Sequence, residues 1–203
     1  MRFDCKDLGF HFNMNNDNFI ALNDKEKIKF FNMGIQQLRQ NLYIFMEVND
    51  NKFTGRYFQM TLDAGRYPTL EDVKKGQDLC VENIKKFAPQ MELISETDIM
   101  PQNIRNCVWK RPDGSILSQY YMAKNGFMFC VAGDISKQYD SLDSLMASVC
   151  LSVTGDTQQD LEREKQQKLM IAVTAEANKL ADTGIPFDKA MDMAFEKFGI
   201  KRN

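Results

Sequence analysis

The chain has 203 residues, of which 43% are hydrophobic and 27% are charged, and its formal net charge is −2. This composition is typical of a folded globular protein and excludes a disordered chain. A net charge so near zero produces no field that would attract nucleic acid or an anionic membrane, so we expect neither as a partner.

The first part of the chain predicts short strands and then a helix. Residues 2–5, and the alternation of apolar and polar side chains around Phe10 and Phe12, are typical of strands. Asn23 and Glu26 have the spacing of a helix-capping box. The apolar positions that follow predict one helix ending near residue 40: Ile28, Phe31, Ile35 and Leu38.

The middle of the chain predicts a hairpin, a second helix and a strand. Residues 42–48 and 53–62 are rich in strand-forming side chains, with a cluster of turn-forming residues between them. Thr69 and Asp72 mark the start of the helix, which Pro89 ends. We predict the next strand at residues 91–97.

Three further strands form a meander at residues 104–110, 116–122 and 127–132. Pro-Asp-Gly and Asn-Gly join them, and both are strong turn sequences. Because these strands are apolar on both faces, we expect helices to cover both sides of the sheet. Trp109 and the aromatic residues around it are therefore interpreted as scaffold, and the alternative is an aromatic-lined ligand groove.

The C-terminal part begins with a helix at Ser141, and the pattern breaks at residues 154–157. A polar run at 158–168 then leads into two amphipathic helices separated by Gly184. We predict an α/β sandwich domain at 1–156 and a helical C-terminal extension at 157–203. The apolar stripes of the two helices are the predicted partner-binding residues: Met170, Val173, Ala177, Leu180, Phe187, Met191, Phe195 and Phe198.

The order of elements over residues 1–153 resembles the PsbP-like, or Mog-like, α/β/α sandwich superfamily. The segments that carry the resemblance are GFHFNM, ISETDI with the meander that follows it, and YDSLDSLMASVCLSV. The resemblance implies an α+β fold with an antiparallel sheet flanked by helices, and a non-catalytic binding module. It carries over no functional residue, because the roles within this group differ widely.

The residues offer little support for catalysis. His11 is the only histidine, and we expect it on the outer face of an early strand, exposed or hydrogen-bonded. The five cysteines are dispersed and none is paired as C-x-x-C, which favours buried reduced thiols, Cys107 included, and an intracellular setting. Phosphate-binding glycine motifs are absent, and acidic pairs lie at predicted helix starts, where they act as caps. We therefore predict no enzyme, no metal and no cofactor.

Together these observations predict an adaptor or chaperone-like protein that binds another protein. The helical extension would bind a foreign partner or a second copy of the chain, and both alternatives stay open. A small-molecule or lipid carrier, with an apolar cavity between sheet and helices, is the alternative function; 13 Met and 15 Phe would suit such a cavity. The sequence starts with no leader and contains no membrane span, so we expect a cytoplasmic protein.

Overall fold

The computed structural model of the protein describes residues 1–135, 139–156 and 158–200. Its strands and α-helices follow one another in this order: β1 (Arg2–Cys5), β2 (Phe10–Asn13), β3 (Phe19–Ala21), α1 (Asp24–Phe31), α2 (Ile35–Gln40), β4 (Asn41–Asn49), β5 (Lys52–Leu62), α3 (Leu70–Phe87), β6 (Glu92–Ile99), β7 (Ile104–Lys110), β8 (Ile116–Lys124), β9 (Phe127–Asp134), α4 (Tyr139–Leu151), β10 (Thr154–Gly155), α5 (Gln158–Asp182) and α6 (Phe187–Lys197).

Two antiparallel sheets form the framework. The large sheet has the spatial order β3-β4-β5-β9-β8-β7-β6 in the described residues. The small sheet has the order β1-β2-β10. β5 pairs with the distant strand β9, and Phe58 lies opposite Gly133. This pairing joins the β4–β5 hairpin to the β7–β8–β9 meander in one sheet.

The two faces of the large sheet are covered by different elements. On the inner face, the largest apolar cluster includes residues of the small sheet and of α4. Phe10 of the small sheet stacks on Phe129 of β9 with ring centroids 5.0 Å apart. On the outer face, Trp109 packs with Val81 of α3, and Ile44 packs with Phe31 of α1. The fold is thus α+β, with an antiparallel sheet flanked by helices as the sequence predicts.

The meander is confirmed, and its turns have the backbone that their residues favour. The strand bounds agree with the predicted ones to within two residues. Gly114 has φ +84°, and Asn125 and Gly126 have φ values of 53° and 76°. Two consecutive left-handed residues are what a tight hairpin with an Asn-Gly turn requires. Trp109 is fully buried, as expected of a scaffold residue.

The single helix predicted from Asn23 to about residue 40 is wrong, because the chain forms two helices there. The capping box of Asn23 and Glu26 is present and starts α1. Asn32 then adopts a left-handed conformation, with φ 51°, and ends α1. Gly34 begins α2 in extended conformation, and its N–H donates to the Gln37 side chain at 2.9 Å. Ile28 and Ile35, two of the apolar positions that predicted the single helix, are exposed.

The expectation that His11 is exposed is wrong. It lies on β2, the central strand of the small sheet, between Asp4 of β1 and Thr154 of β10. Its side chain is fully buried. The sequence does not predict β10, and without that strand β2 would be an edge with an open side.

The C-terminal helices form a hairpin. Thr183 and Gly184 make the turn, and Gly184 has φ +92°. Lys197 of α6 donates to the Glu176 carboxylate of α5 at 2.6 Å. Residue contacts divide the chain into two compact units, Met1–Gly155 and Asp156–Asn203. Independent folding of the predicted domains 1–156 and 157–203 stays a prediction, and residues 157 and 201–203 lie outside the described residues.

Candidate functional site

The eight predicted partner-binding residues lie on the two helices of the hairpin. Val173 and Ala177 of α5 are fully buried against Ala190 and Ala194 of α6. Three more are partly buried in the same cluster: Leu180, Met191 and Phe195. Three are largely exposed: Met170, Phe187 and Phe198. The two stripes therefore pack on each other, and partner binding by these residues stays a prediction.

A second candidate surface lies on the outer face of the large sheet. Two clefts, with volumes of about 530 and 300 Å³, open there. Alternate residues of a strand share one face. On three neighbouring strands, the outward-facing residues that line the second cleft come two positions after or before those that line the first. We call the following residues the sheet groove: Tyr57, Gln59 and Thr61 of β5, Ala132 and Cys130 of β9, and Leu117, Gln119 and Tyr121 of β8.

The two clefts share no lining residue, but they follow one another along β5, β9 and β8, so that together they are elongated along the strands. On β5 the lining of the two clefts extends from Thr54 to Leu62 and continues to Asp63 just beyond the strand. At a rise of about 3.3 Å per residue, this corresponds to a length of about 30 Å. Such a length suits an extended chain better than a compact small molecule.

Two glutamines flank one alanine at the same level of three neighbouring strands. Gln59 lies opposite Ala132, and Ala132 lies opposite Gln119. Because neighbouring strands are about 4.8 Å apart, the two glutamine backbones are separated by about 10 Å. Ala132, which lies between them, has a small side chain that is buried and lines the larger cleft.

The two amides differ in the hydrogen-bonding groups that they offer. The Tyr121 hydroxyl donates to Oε1 of Gln119 at 3.0 Å. Burial raises the pKa of Tyr121 well above its ordinary value, so the hydroxyl keeps its proton and remains a donor. The NH₂ group of the Gln119 side chain makes no hydrogen bond in the described residues and can donate to a ligand. No hydrogen bond in the described part of the chain uses the side-chain amide of Gln59.

Helices border the groove on both sides. At the α1 side, the rings of Phe31 and Tyr57 are in contact, with centroids 4.8 Å apart. At the α3 side, Cys80 and Ile84 line the smaller cleft together with Cys130. Burial raises the pKa of the Cys80 thiol to about 11, and it also raises that of Cys130 well above the ordinary value. Both thiols are therefore protonated at neutral pH, which disfavours nucleophilic chemistry.

The charged side chains that line the larger cleft are paired. Arg111 and Asp134 line the larger cleft and form an ion pair at 2.9 Å. Arg56 lines it too and pairs with Glu47 at 2.7 Å, with both side chains more than four-fifths buried. Asp63, which lines the smaller cleft, accepts from the Tyr67 hydroxyl at 2.6 Å and forms no ion pair in the described part of the chain, so the lining carries one negative charge without a cationic partner.

The described residues show no metal-binding cluster. Within residues 1–135, 139–156 and 158–200, no three or more His, Cys, Asp or Glu side chains are placed to hold a metal ion. His11 is buried in the small sheet, away from the groove. Burial raises the pKa of Cys107 to about 12, which fits a structural thiol. In the same ranges, no helix combines the length and apolar character needed to cross a bilayer.

Solved structures resemble this architecture. A solution structure of cyanobacterial PsbP (CyanoP) from Synechocystis sp. PCC 6803 matches 76% of this chain and 91% of its own, with a TM-score of 0.51 and 14% sequence identity. The fold is that of PsbP. At this identity the likeness to PsbP shows the fold alone.

A crystal structure from Bacteroides thetaiotaomicron also matches, over 88% of this chain and 60% of its own. Its TM-score of 0.43 and identity of 11% are too low to carry an argument. No protein-family model matches the chain, and no curated protein matches it either.

Sequence reasoning missed the sheet groove, although part of its pattern is visible. Gln59 and Thr61 alternate with the buried Phe58 and Met60, which marks a strand face that is not filled by apolar core. The sequence does not show that β5 lies beside β9, and that pairing is what brings Gln59 and Gln119 to either side of Ala132.

Proposed function

We propose that this protein is a non-catalytic protein-binding module, and that its sheet groove holds an extended segment of another protein. The observation that carries this proposal is the elongated groove with glutamine amides on its floor. Amide groups match the hydrogen-bonding groups of a polypeptide main chain. The apolar side chains of Tyr57 and Leu117 add contact area beside them.

A lipid or small-molecule carrier, the alternative function, has less support. The inner face of the sheet is filled by fully buried side chains such as Phe12, Phe45 and Phe58. The two clefts on the outer face are open to solvent, and Gln59 lines the larger one while Gln119 lines the smaller one. An acyl chain would leave these amides without partners, which is unfavourable once they are removed from water.

The hairpin of α5 and α6 would supply a second contact. Met170, Phe187 and Phe198 are exposed apolar side chains of the kind that interaction surfaces use. A module with two contact surfaces fits an adaptor or chaperone-like role. Five free cysteines support a reducing, cytoplasmic setting for it.

The proposal is tested by filling the groove. Ala132→Phe places an aromatic ring between the two glutamines, at a residue that lines the larger cleft, and its melting temperature would be measured to show that the variant is folded. Peptides would be selected on the wild-type full chain from a library of random extended peptides. We expect the selected peptides to bind the wild type and to lose at least about tenfold in affinity for Ala132→Phe, since the ring occupies their place.

The matched control is Thr97→Phe. Thr97 is exposed on the edge strand β6, and its cross-strand partner is Asn106, whose side chain donates to Ser118 on the inner face. This variant adds the same ring outside the groove and should bind the peptides like the wild type. Equal binding by Ala132→Phe, with an unchanged melting temperature, would contradict the proposal, and so would a selection that yields no binding peptide.

A further inference from the structure

We propose that Gln59 and Gln119 recognise the main chain of the bound segment, as a pair of amides that clamp it above Ala132. This inference rests on the proposed function of the sheet groove. The two amides would recognise one feature of the partner, an extended backbone with free N–H and C=O groups.

The strand register determines where the two glutamines lie relative to a bound segment. An extended segment lying along β9 has its side chains directed toward the floor and toward solvent, and its N–H and C=O groups directed sideways. Gln59 of β5 lies on one side of Ala132 and Gln119 of β8 on the other. Each amide can thus meet main-chain groups on its own side of the segment.

The chemistry of the two amides is complementary to a main chain. Oε1 of Gln119 accepts from the Tyr121 hydroxyl, whereas its NH₂ group makes no hydrogen bond in the described part of the chain. This NH₂ group can donate to a main-chain carbonyl. Gln59 has both its oxygen and its NH₂ group available in the described part of the chain, so it can accept a main-chain N–H and donate to a carbonyl.

The floor beneath the segment limits what else is recognised. Side chains directed downward meet Ala132 and Cys130, which are small and apolar. They can select for size but offer no charge. We therefore expect the groove to bind many extended sequences with small or medium apolar side chains, and to discriminate by backbone rather than by a charged motif.

The test uses the wild-type full chain and one peptide obtained from the library selection. Each main-chain nitrogen of the peptide is methylated in turn, which removes one N–H donor without changing any side chain. We expect methylation at one or two central positions to weaken binding about three- to tenfold, the loss associated with one hydrogen bond. Affinities would be measured by titration calorimetry.

Variants of the protein then show which glutamine is responsible for the loss of affinity. Gln59→Leu should weaken binding of the parent peptide about three- to tenfold. The Gln59→Leu variant should then bind the methylated peptide that the wild type binds weakly with the same affinity as the parent peptide, because the hydrogen bond that methylation removes is already absent. Gln119→Leu should lose a similar factor through the carbonyl that it no longer contacts. Gln102→Leu, exposed in the turn between β6 and β7, is the control and should bind like the wild type.

The outcomes separate this inference from the function on which it rests. If Ala132→Phe blocks binding while every methylated peptide binds the wild type like the parent, the clamp is wrong and the groove stands. Wild-type affinity in both Gln59→Leu and Gln119→Leu has the same meaning. If no peptide is selected, or Ala132→Phe binds normally, the proposed function fails and the clamp fails with it.

Discussion

Trp109 shows how one residue can stabilise the core and still be imperfectly accommodated. Its side chain is fully buried between the sheet and α3. Its indole N–H has no hydrogen-bond partner in the part of the chain that the structure describes. A buried donor without a partner costs about 1–3 kcal/mol, whereas the buried ring contributes more than this through packing.

We predict that Trp109→Ala lowers the free energy of unfolding by about 3–5 kcal/mol, as expected for the loss of a large aromatic side chain from a core. Trp109→Phe should cost clearly less, because it retains a ring and removes the unpartnered N–H. Since Trp109 is the only tryptophan, urea unfolding would be followed by circular dichroism.

The comparison of the two variants is the informative measurement. Equal destabilisation by alanine and phenylalanine would mean that the indole N–H is satisfied and that the fit of the whole indole matters. An alanine variant with wild-type stability would contradict the assignment of Trp109 to the scaffold.

At the scale of elements, helix starts were predictable and one helix end was not. Capping boxes at Asn23 and Thr69 begin α1 and α3 where the residue spacing places them. The break after Phe31 depends on Asn32 in a left-handed conformation. Asparagine tolerates that conformation but does not require it, so the apolar spacing across it predicted a continuous helix.

The capping box of α3 leads to a pH-dependent prediction. Hydrogen bonds from Thr69, first from its hydroxyl and then from its backbone N–H, lower the pKa of Asp72 below its ordinary value of 3.8. Because the pKa of Asp72 is lower in the folded state, its carboxylate stabilises the folded state at pH values above the unfolded-state pKa. This stabilisation is lost as the pH falls through the folded-state pKa. Asp72→Asn should therefore reduce the melting temperature at pH 7, and the difference from the wild type should shrink below pH 3.8.

The matched control for this prediction is Glu71→Gln. It removes one negative charge from the same first turn but leaves the capping box intact. It should lower the melting temperature at pH 7 less than Asp72→Asn does. A constant difference between Asp72→Asn and the wild type from pH 7 to below pH 3.8 would show that the carboxylate does not stabilise the helix start.

At the scale of the whole molecule, the sequence predicts the fold better than the site. Alternation, turn residues and caps are local, so they predict the meander and most of the helices. The sheet groove depends on which distant strands become neighbours, and Gln59 and Gln119 meet only through β9. The central position of β2 in the small sheet was missed for the same reason, because it depends on β10 pairing beside β2.

The division of the chain leads to the last prediction. A shortened protein ending at Asp156 keeps β10, which pairs with β2. It also keeps Ser152, which is hydrogen-bonded to the backbone N–H and carbonyl of Asn13. No described strand is removed, because the strands of both sheets lie within residues 1–155, which form one compact unit. We expect this shortened protein to unfold in one cooperative transition, measured by calorimetry, and to bind groove peptides with the affinity of the full chain.

The same shortened protein separates the two contact surfaces. If Met170, Phe187 and Phe198 bind a partner or a second copy, the full chain should associate in analytical ultracentrifugation, alone or with that partner, and the shortened protein should not. Replacing these three residues by serine in the full chain is the matched test, since each is exposed and the cluster around Val173 and Ala177 stays intact. A shortened protein that melts without a cooperative transition would mean that the sandwich needs the hairpin, and the prediction of two domains would then be wrong.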